Sequence, residues 1–362
     1  MSAHDRLMAA WKAAEFDRYN LAVLGATGVG KSTLINAVFG FREAPTGVGA
    51  PVTKGVRFHA PAESSLGLYD FEGAESFAAL REFVHAFDAA YRERITVDPA
   101  QAIHGVWFCL KASDRRFDDQ QAALVHELAG MGLPVVLVVT QTPWKPGIGY
   151  SRDAGEFLRY LSGLDLPIVG GEAVPVAAVD DPFTGARAHG LDRLVRVTEA
   201  AAPQGHAAAF AAAQRIDLEL KRAASRKVIA LATAAAAGVG AAPIPIPDAL
   251  PLAGIQTEMM RRITTIYNIS LGQEAVSALL GQLLTQWLGR VAATNLLKFI
   301  PGAGTAINAS VAGTLTGGLG AAWQTLCERD ATGQVDLHGL IRDNELSGVL
   351  FGLFTDFVKR RA

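Results

Sequence analysis

Eight residues, Gly25-Ala26-Thr27-Gly28-Val29-Gly30-Lys31-Ser32, confine this chain to a small set of folds. They fit the pattern G-x-x-x-x-G-K-[ST], and their surroundings fit as well. The apolar run Leu21-Ala22-Val23-Leu24 before them predicts a buried strand, and Thr33-Leu34-Ile35-Asn36-Ala37-Val38-Phe39 after them predicts a short helix ending near Gly40. A glycine-rich turn between a strand and a helix lets backbone N–H groups approach phosphate oxygens, and the helix N-terminus adds partial positive charge. In such a loop Lys31 reaches the β and γ oxygens, Ser32 offers a hydroxyl to Mg²⁺, and the backbone of 25–33 holds the phosphates. Gly25, Ala26, Thr27, Gly28, Val29, Gly30, Lys31, Ser32 and Thr33 are therefore the expected phosphate-binding residues.

The residues that follow supply candidates for the rest of such a site. Residues 41–55 carry Pro45, Gly47, Gly49 and Pro51 without apolar periodicity, which predicts an irregular loop. Thr53, in Pro51-Val52-Thr53-Lys54-Gly55, is placed to fold over a nucleotide with its hydroxyl on the metal; Thr46 is the weaker candidate. Two short strands, 56–60 and 65–69, lead to Asp70-Phe71-Glu72-Gly73. A carboxylate at the end of a strand beside the phosphate strand can act through a metal-bound water, so Asp70 joins Ser32 and Thr53 as an expected metal residue. The N–H of Gly73 would reach the γ-phosphate, and Lys31, Thr53 and Gly73 form the expected catalytic set.

The remaining pattern predicts a doubly wound α/β domain with a mostly parallel sheet, followed by an all-α domain. Strands are expected at 105–110, 134–140 and 173–177, and helices at 77–91, 118–130 and 191–201; Val135-Val136-Leu137-Val138-Val139 is the clearest buried parallel strand. Residues 1–18 read as an amphipathic helix, 19–203 as the α/β domain and 204–362 as an alanine- and glycine-rich helical domain, opened by one long helix over 206–227. Ligands of open α/β sheets sit at the C-terminal ends of the strands, where the loops above lie.

Charge and cysteine content narrow the partners. A net charge of −2 gives no general attraction to polyanions, so no nucleic-acid partner is expected. Cys109 and Cys327 lie in apolar contexts, the start shows no export signal, and the eight histidines lack metal-ligand spacing; a cytoplasmic chain without disulfides or zinc is the expectation. Between Val228 and Cys327 only seven residues are charged, and 228–247 and 299–327 contain none. Such stretches have the length of a bilayer span, but Pro243, Pro245 and Pro247 interrupt the first, and Gly, Thr, Asn and Ser fill the second. Peripheral or integral membrane contact therefore stays open beside a packed bundle, in which Gly313-x-x-x-Gly317 permits close helix approach. The stripe Leu346, Val349, Leu350, Leu353, Phe354, Phe357 followed by Lys359-Arg360-Arg361 reads as core packing or as an interfacial anchor.

On Gly25-Ala26-Thr27-Gly28-Val29-Gly30-Lys31-Ser32-Thr33-Leu34-Ile35-Asn36, Pro51-Val52-Thr53 and Asp70-Phe71-Glu72-Gly73, residues 19–180 resemble an Era-like GTPase of the translation-factor-related P-loop class. On Pro243-Ile244-Pro245-Ile246-Pro247-Asp248, Gln256 with Met259, Ile266-Tyr267 and Ile300-Pro301-Gly302-Ala303-Gly304, the C-terminal part resembles the YcjF-related helical domain that follows such modules in bacteria. The resemblance implies a Mg²⁺-dependent GTP/GDP switch with slow hydrolysis, and nucleotide-dependent self-association. It places Thr140 and Gln141 beside the base, because Thr140-Gln141-Thr142-Pro143 stands at the family's [NT]-K-x-D motif. Two departures follow. Gln141 replaces the lysine and Pro143 the guanine-reading aspartate, a loss worth about 1–3 kcal/mol of base discrimination. At the third motif Phe71-Glu72 replace Thr-Pro, Ala74 follows Gly73, and no glutamine orients an attacking water. An ATP-preferring hydrolase, and a scaffold whose nucleotide module binds without turnover, are the alternatives these departures raise.

Overall fold

The computed structural model describes residues 18–40, 50–53, 56–59, 65–71, 102–203, 206–240, 250–269, 271, 276, 281 and 307–361. The expected helices at 1–18 and 77–91, Thr46, Gly73, and the proline- and glycine-rich motifs at 243–248 and 300–304 lie outside the described residues.

The α/β unit is built on a seven-stranded sheet. Its strands are β1 (Tyr19–Leu24), β2 (Ala50–Thr53), β3 (Val56–His59), β4 (Leu66–Phe71), β5 (Gly105–Lys111), β6 (Val135–Thr140) and β9 (Val174–Pro175), in the order β2-β3-β4-β1-β5-β6-β9. The five strands from β4 to β9 are parallel, while β3 pairs antiparallel with β4 and β2 antiparallel with β3. A two-stranded hairpin, β7 (Trp144–Lys145) and β8 (Gly149–Tyr150), follows β6.

Alternation along β5 shows how the sheet is covered on both faces. Val106, Phe108 and Leu110 join one apolar cluster with Leu124 and Leu128 of α2 (Asp119–Gly130) and Phe157 and Leu161 of α3 (Arg152–Ser162). Trp107 points the other way, stacking 5.6 Å from Phe39 of α1 (Lys31–Phe39) and donating its indole N–H to Thr198 of α4 (Leu191–Ala201) at 2.9 Å. Asp118 and Gln121 close a capping box at the start of α2. Helix α3 and the β7–β8 hairpin were not expected from the sequence. The signal for α3 was present in Ser151, whose hydroxyl caps Ala154 N–H, and in Ala154, Phe157 and Leu161 along one buried face.

The expected single helix over 206–227 is two helices, α5 (Ala207–Ala213) and α6 (Leu218–Gly240). Buried Gln214 makes the break: its Oε1 accepts from the N–H groups of Ile216 and Asp217, both at 2.7 Å, and its Nε2 donates to Asp217 O at 2.8 Å. The turn's backbone thus finds its partners without a continuous helix. Phe210 of α5 packs 5.0 Å from Tyr19, and Arg215 N–H donates to Val38 O at 2.8 Å. The compact unit that holds the sheet accordingly closes at Asp217, past the composition change at 203/204.

Opposite the loop end, β1 and β5 are tied by a buried histidine. His104 Nδ1 accepts from Asn20 N–H at 2.9 Å, and its ring stacks 3.7 Å from His206. Burial, and then the His206 charge, lower the His104 pKa from 6.5 to about 4. The unfolded chain therefore binds the extra proton between these values, so stability is full above pH 6.5 and is lost as pH falls towards 4. The expected loss is on the order of 3 kcal/mol. Urea midpoints taken from pH 7 to pH 4 should fall more steeply for the wild type than for His104→Asn, whose amide oxygen can accept the Asn20 N–H without titrating.

The second unit is a helical bundle of α6, α7 (Leu250–Ile266), α8 (Ile307–Ala331), α9 (Leu337–Arg342) and α10 (Leu346–Arg361). Its low charge is explained by mutual burial: Ala232, Ala236, Ile255, Met259, Ile263, Ala322, Trp323 and Leu326 are fully or nearly fully buried. Two of the polar side chains inside bond across the bundle, Gln256 Nε2 donating to Thr316 at 3.1 Å and Trp323 Nε1 to Met260 O at 3.1 Å. Gly313 and Gly317 of α8 face Thr233 and Ala237 of α6, as close helix approach requires. On α10, Leu346, Leu350 and Phe354 of the stripe are buried, together with Val358, and serve as core, while Val349, Leu353 and Phe357 are half-buried. Among the described residues no helix is long and apolar enough to cross a membrane.

A side chain at Gly318 would start 2.6 Å from the buried Phe354 ring, whereas one at Gly352 meets nothing within 4 Å. Gly318→Val should therefore destabilise by about 1–3 kcal/mol, and Gly352→Ala should stabilise by about 0.5–1 kcal/mol through helix propensity. Denaturant midpoints of the two variants, moving in opposite directions, check the packing.

Candidate functional site

The eight-residue loop spans the turn from the end of β1 to α1, at the C-terminal ends of the parallel strands. Gly30, with φ 94°, is the N-cap of α1 and has no side-chain cap, and a helix start of this kind points its N–H dipoles at an anion. Gly25, with φ 138°, passes so close to β5 that a Cβ would lie 2.4 Å from Cys109 O. Lys31 folds over the loop and donates to Gly25 O at 2.6 Å and Ala26 O at 3.0 Å. Burial pushes the Cys109 thiol up to about 12, against a smaller opposing effect of the Lys31 charge, so the sulfur beneath the loop is a neutral packing group.

The end of β6 meets the loop from the other side. Thr140, expected beside the base, is buried; its hydroxyl lies 2.5 Å from Val29 O and 2.9 Å from Leu110 O, so its one proton is shared between the loop and β5. Its side chain ties three segments together, and the residue also lines the cleft described below. Gln141, at φ 50°, lays its amide along the loop and donates to Gly28 O at 3.1 Å. It occupies the place expected of the family's lysine, with an amide N–H in place of a charge.

A cleft of about 360 Å³ opens between α1, the end of β6 and the segment after β9. Gly30, Thr33 and Leu34 line one side, Thr140, Gln141, Thr142 and Pro143 another, and Val176, Ala177, Ala178, Val179, Asp181 and Ala186 the third. Thr142 is fully buried, with its N–H on Val176 O at 3.1 Å and its hydroxyl on Val139 O at 2.7 Å, which fixes the two strand exits together. Residues 176–186 were not expected to contribute. Their signal was positional: they leave the last parallel strand at the end of the sheet where ligands of this architecture sit.

The sheet brings Asp70 to the same end. It follows Tyr69, which pairs with Ala22 of β1, and is therefore one strand away from the residues that enter the loop. Thr53 ends β2, opposite Val56, also at this end but on the outermost strand. At about 4.8 Å per strand its backbone lies roughly 14 Å from β1, so these residues are not gathered as closely as the sequence suggested. Ser32 is exposed, and Ser and Asp are hard oxygen donors, a residue set that fits Mg²⁺ held jointly by phosphate oxygens and water. Among the described residues no group of three His, Cys, Asp or Glu could hold a metal by itself.

Comparison with known proteins also finds two parts, the second match starting at 204, ahead of the structural boundary at Asp217. Residues 20–141 match the family model described as 50S ribosome-binding GTPase, and residues 204–344 match one described as a domain of unknown function, DUF697. Among solved structures, a probable GTP-binding protein engB is similar at 14% identity, over 50% of this chain and 97% of that one, with a TM-score of 0.34. An Era variant of Aquifex aeolicus bound to GDP and AlF4⁻ is similar at 18% identity, over 51% of this chain and 57% of that one, with a TM-score of 0.31. Era in complex with MgGDPNP and a segment of 16S ribosomal RNA is similar at 18% identity, over 61% and 68%, with a TM-score of 0.32. No curated protein matched the chain.

Proposed function

We propose that this chain, which joins a P-loop GTPase-class domain to a helical domain matching DUF697, is a Mg²⁺-dependent guanine-nucleotide switch with slow GTP hydrolysis. The observation that carries the reading is the uncapped start of α1 behind a glycine-rich loop, with Lys31 lying over that loop beside a nucleotide-sized cleft. The backbone N–H groups of 25–33 bind the phosphates. Lys31 exchanges its two loop carbonyls for β and γ oxygens, and Thr33 and Gln141 border the ribose and base.

Bound Mg²⁺ would neutralise charge developing on the β and γ oxygens. Ser32 would hold it directly and Asp70 through water, while Thr53 would have to be carried in from the sheet edge by the 41–55 segment. The Gly73 N–H would sense the γ-phosphate. Phosphoryl transfer then depends on positioning and electrostatics, and with no glutamine near Gly73 to orient water, turnover is slow. Loss of the γ-phosphate would release 41–55 and 70–75, a change read by the helical domain.

Single-turnover hydrolysis by the full chain tests the reading. With Mg²⁺, GTP should be consumed slowly, on the order of 10⁻⁴ to 10⁻² s⁻¹, and EDTA or Ser32→Ala should abolish it. Tight GTP binding with no turnover would instead favour a module that binds without hydrolysing, which the Glu72 and Ala74 departures also suggest. Turnover unaffected by EDTA would contradict the metal's role.

A further inference from the structure

Pro143 leaves the cleft without a carboxylate where the family carries one, yet the cleft has another. We propose that Asp181, reaching the cleft from the segment after β9, is the acceptor that reads the Watson–Crick edge of guanine in this protein. The proposal rests on the guanine-nucleotide reading above and names the residue that sets its base specificity.

Asp181 is the one ionisable side chain among the residues lining the cleft. The other polar side chains at its β6 edge are committed: Thr140 to Val29 O and Leu110 O, Thr142 to Val139 O, and the Gln141 amide N–H to Gly28 O. Asp181 is also held in place. Its Oδ1 accepts from Phe183 N–H at 2.9 Å and Thr184 N–H at 3.3 Å, and its Oδ2 from the Thr184 hydroxyl at 2.5 Å. Its backbone closes a turn with Ala186, Asp181 N–H donating to Ala186 O at 2.8 Å and Gly185 N–H to Asp181 O at 2.8 Å. These bonds, led by the Thr184 hydroxyl, lower the carboxyl pKa and keep it ionised at neutral pH.

A carboxylate offers about four lone-pair directions, so Oδ2 retains one for a ligand. Guanine presents N1–H and an exocyclic N–H on that edge, either of which the fixed anion can accept in that remaining direction as a charge-assisted bond. Adenine presents the N1 lone pair there instead, and the same carboxylate repels it. Fixing the anion from the β9 side rather than from the β6 exit explains how the fourth motif can lose its aspartate and the protein still select guanine.

The test uses the full chain with Mg²⁺ and three probes: GDP, ADP and xanthosine diphosphate, which carries a C2 carbonyl where guanine has its amino group. Asp181→Asn keeps an acceptor for the Phe183 and Thr184 N–H groups but offers an amide donor to that carbonyl. Its GDP affinity should fall about 10- to 100-fold and its xanthosine diphosphate affinity should rise at least tenfold or so. Asp180→Asn serves as control: Asp180 bonds Arg187 and Ala188 N–H and does not line the cleft, so base preference should not move. A gain of affinity cannot come from a misfolded protein. If Asp181→Asn loses GDP without gaining xanthosine diphosphate, the residue is structural and the inference is overturned. If both affinities stay unchanged while Lys31→Ala abolishes GDP binding, the inference falls and the nucleotide reading stands. If the wild type binds none of the three, the nucleotide reading itself fails.

Discussion

Lys31→Ala lowers the affinity for Mg²⁺-GTP by about 100- to 1,000-fold and leaves the fold intact. In the structure the ammonium is held by two loop carbonyls, Gly25 O and Ala26 O. Those are ordinary backbone acceptors at a partly exposed position, so their loss costs about 1 kcal/mol of stability or less. Towards a polyphosphate the same group makes charge-assisted bonds, two of which together supply about 3–4 kcal/mol. The ratio of the two effects is the diagnostic. A binding defect much larger than the shift in urea midpoint means that the lysine is there for a ligand; equal effects would mean that it staples the loop.

Gly25→Ala is expected to have a large structural effect in the α/β unit, about 3 kcal/mol or more. Two costs coincide. The backbone adopts φ 138°, which L residues rarely reach, and the new Cβ would sit 2.4 Å from the carbonyl oxygen of Cys109. The obstacle is backbone of a central strand, with Trp107, Phe108 and Cys109 all fully buried, so it cannot move aside as the end of a flexible side chain can. Either β1 separates from β5 or the loop leaves its phosphate-binding path. Chemical denaturation together with nucleotide binding reads both, and the variant should lose stability and affinity together, in contrast to Lys31→Ala. A stable variant that still binds GTP would contradict the close approach of loop and strand.

Much of this arrangement was legible in the residues because strong local signals agreed with the global fold. The glycines, Lys31 and Ser32, the valine-rich β6 and the capped α2 are each specified by short-range chemistry, and each stands where its pattern put it. What was not legible depended on pairing between distant segments. The outer position of Thr53 follows from β2 adding beyond β3, a placement that a four-residue strand does not announce. Thr140 has the identity expected of a residue near the base, but its hydroxyl is drawn to Val29 O and Leu110 O by the closeness of three strand ends. Gln214 breaks an alanine-rich helix through side-chain bonds to its own turn, against strong helix propensity on both sides. The contribution of 176–186 to the cleft required the order of the sheet, since it places the exit of β9 beside that of β6.

The helical unit illustrates the same limit. Its charge-poor stretches satisfy a length rule for bilayer spans, yet the described helices bury their apolar faces on one another through Gly317, Gly318 and Gly320, and Gln256 and Trp323 bond across the bundle. Composition reports that surface is hidden; only packing reports where.

The central claim is that the cleft between the phosphate loop and the exits of β6 and β9 holds a guanine nucleotide. Calorimetric titration of the full chain with GDP and with ADP, each with Mg²⁺, tests it most directly. The account predicts a single site for GDP with an affinity at least about 100-fold above that for ADP. Equal affinities for the two, or no heat with either, would contradict it.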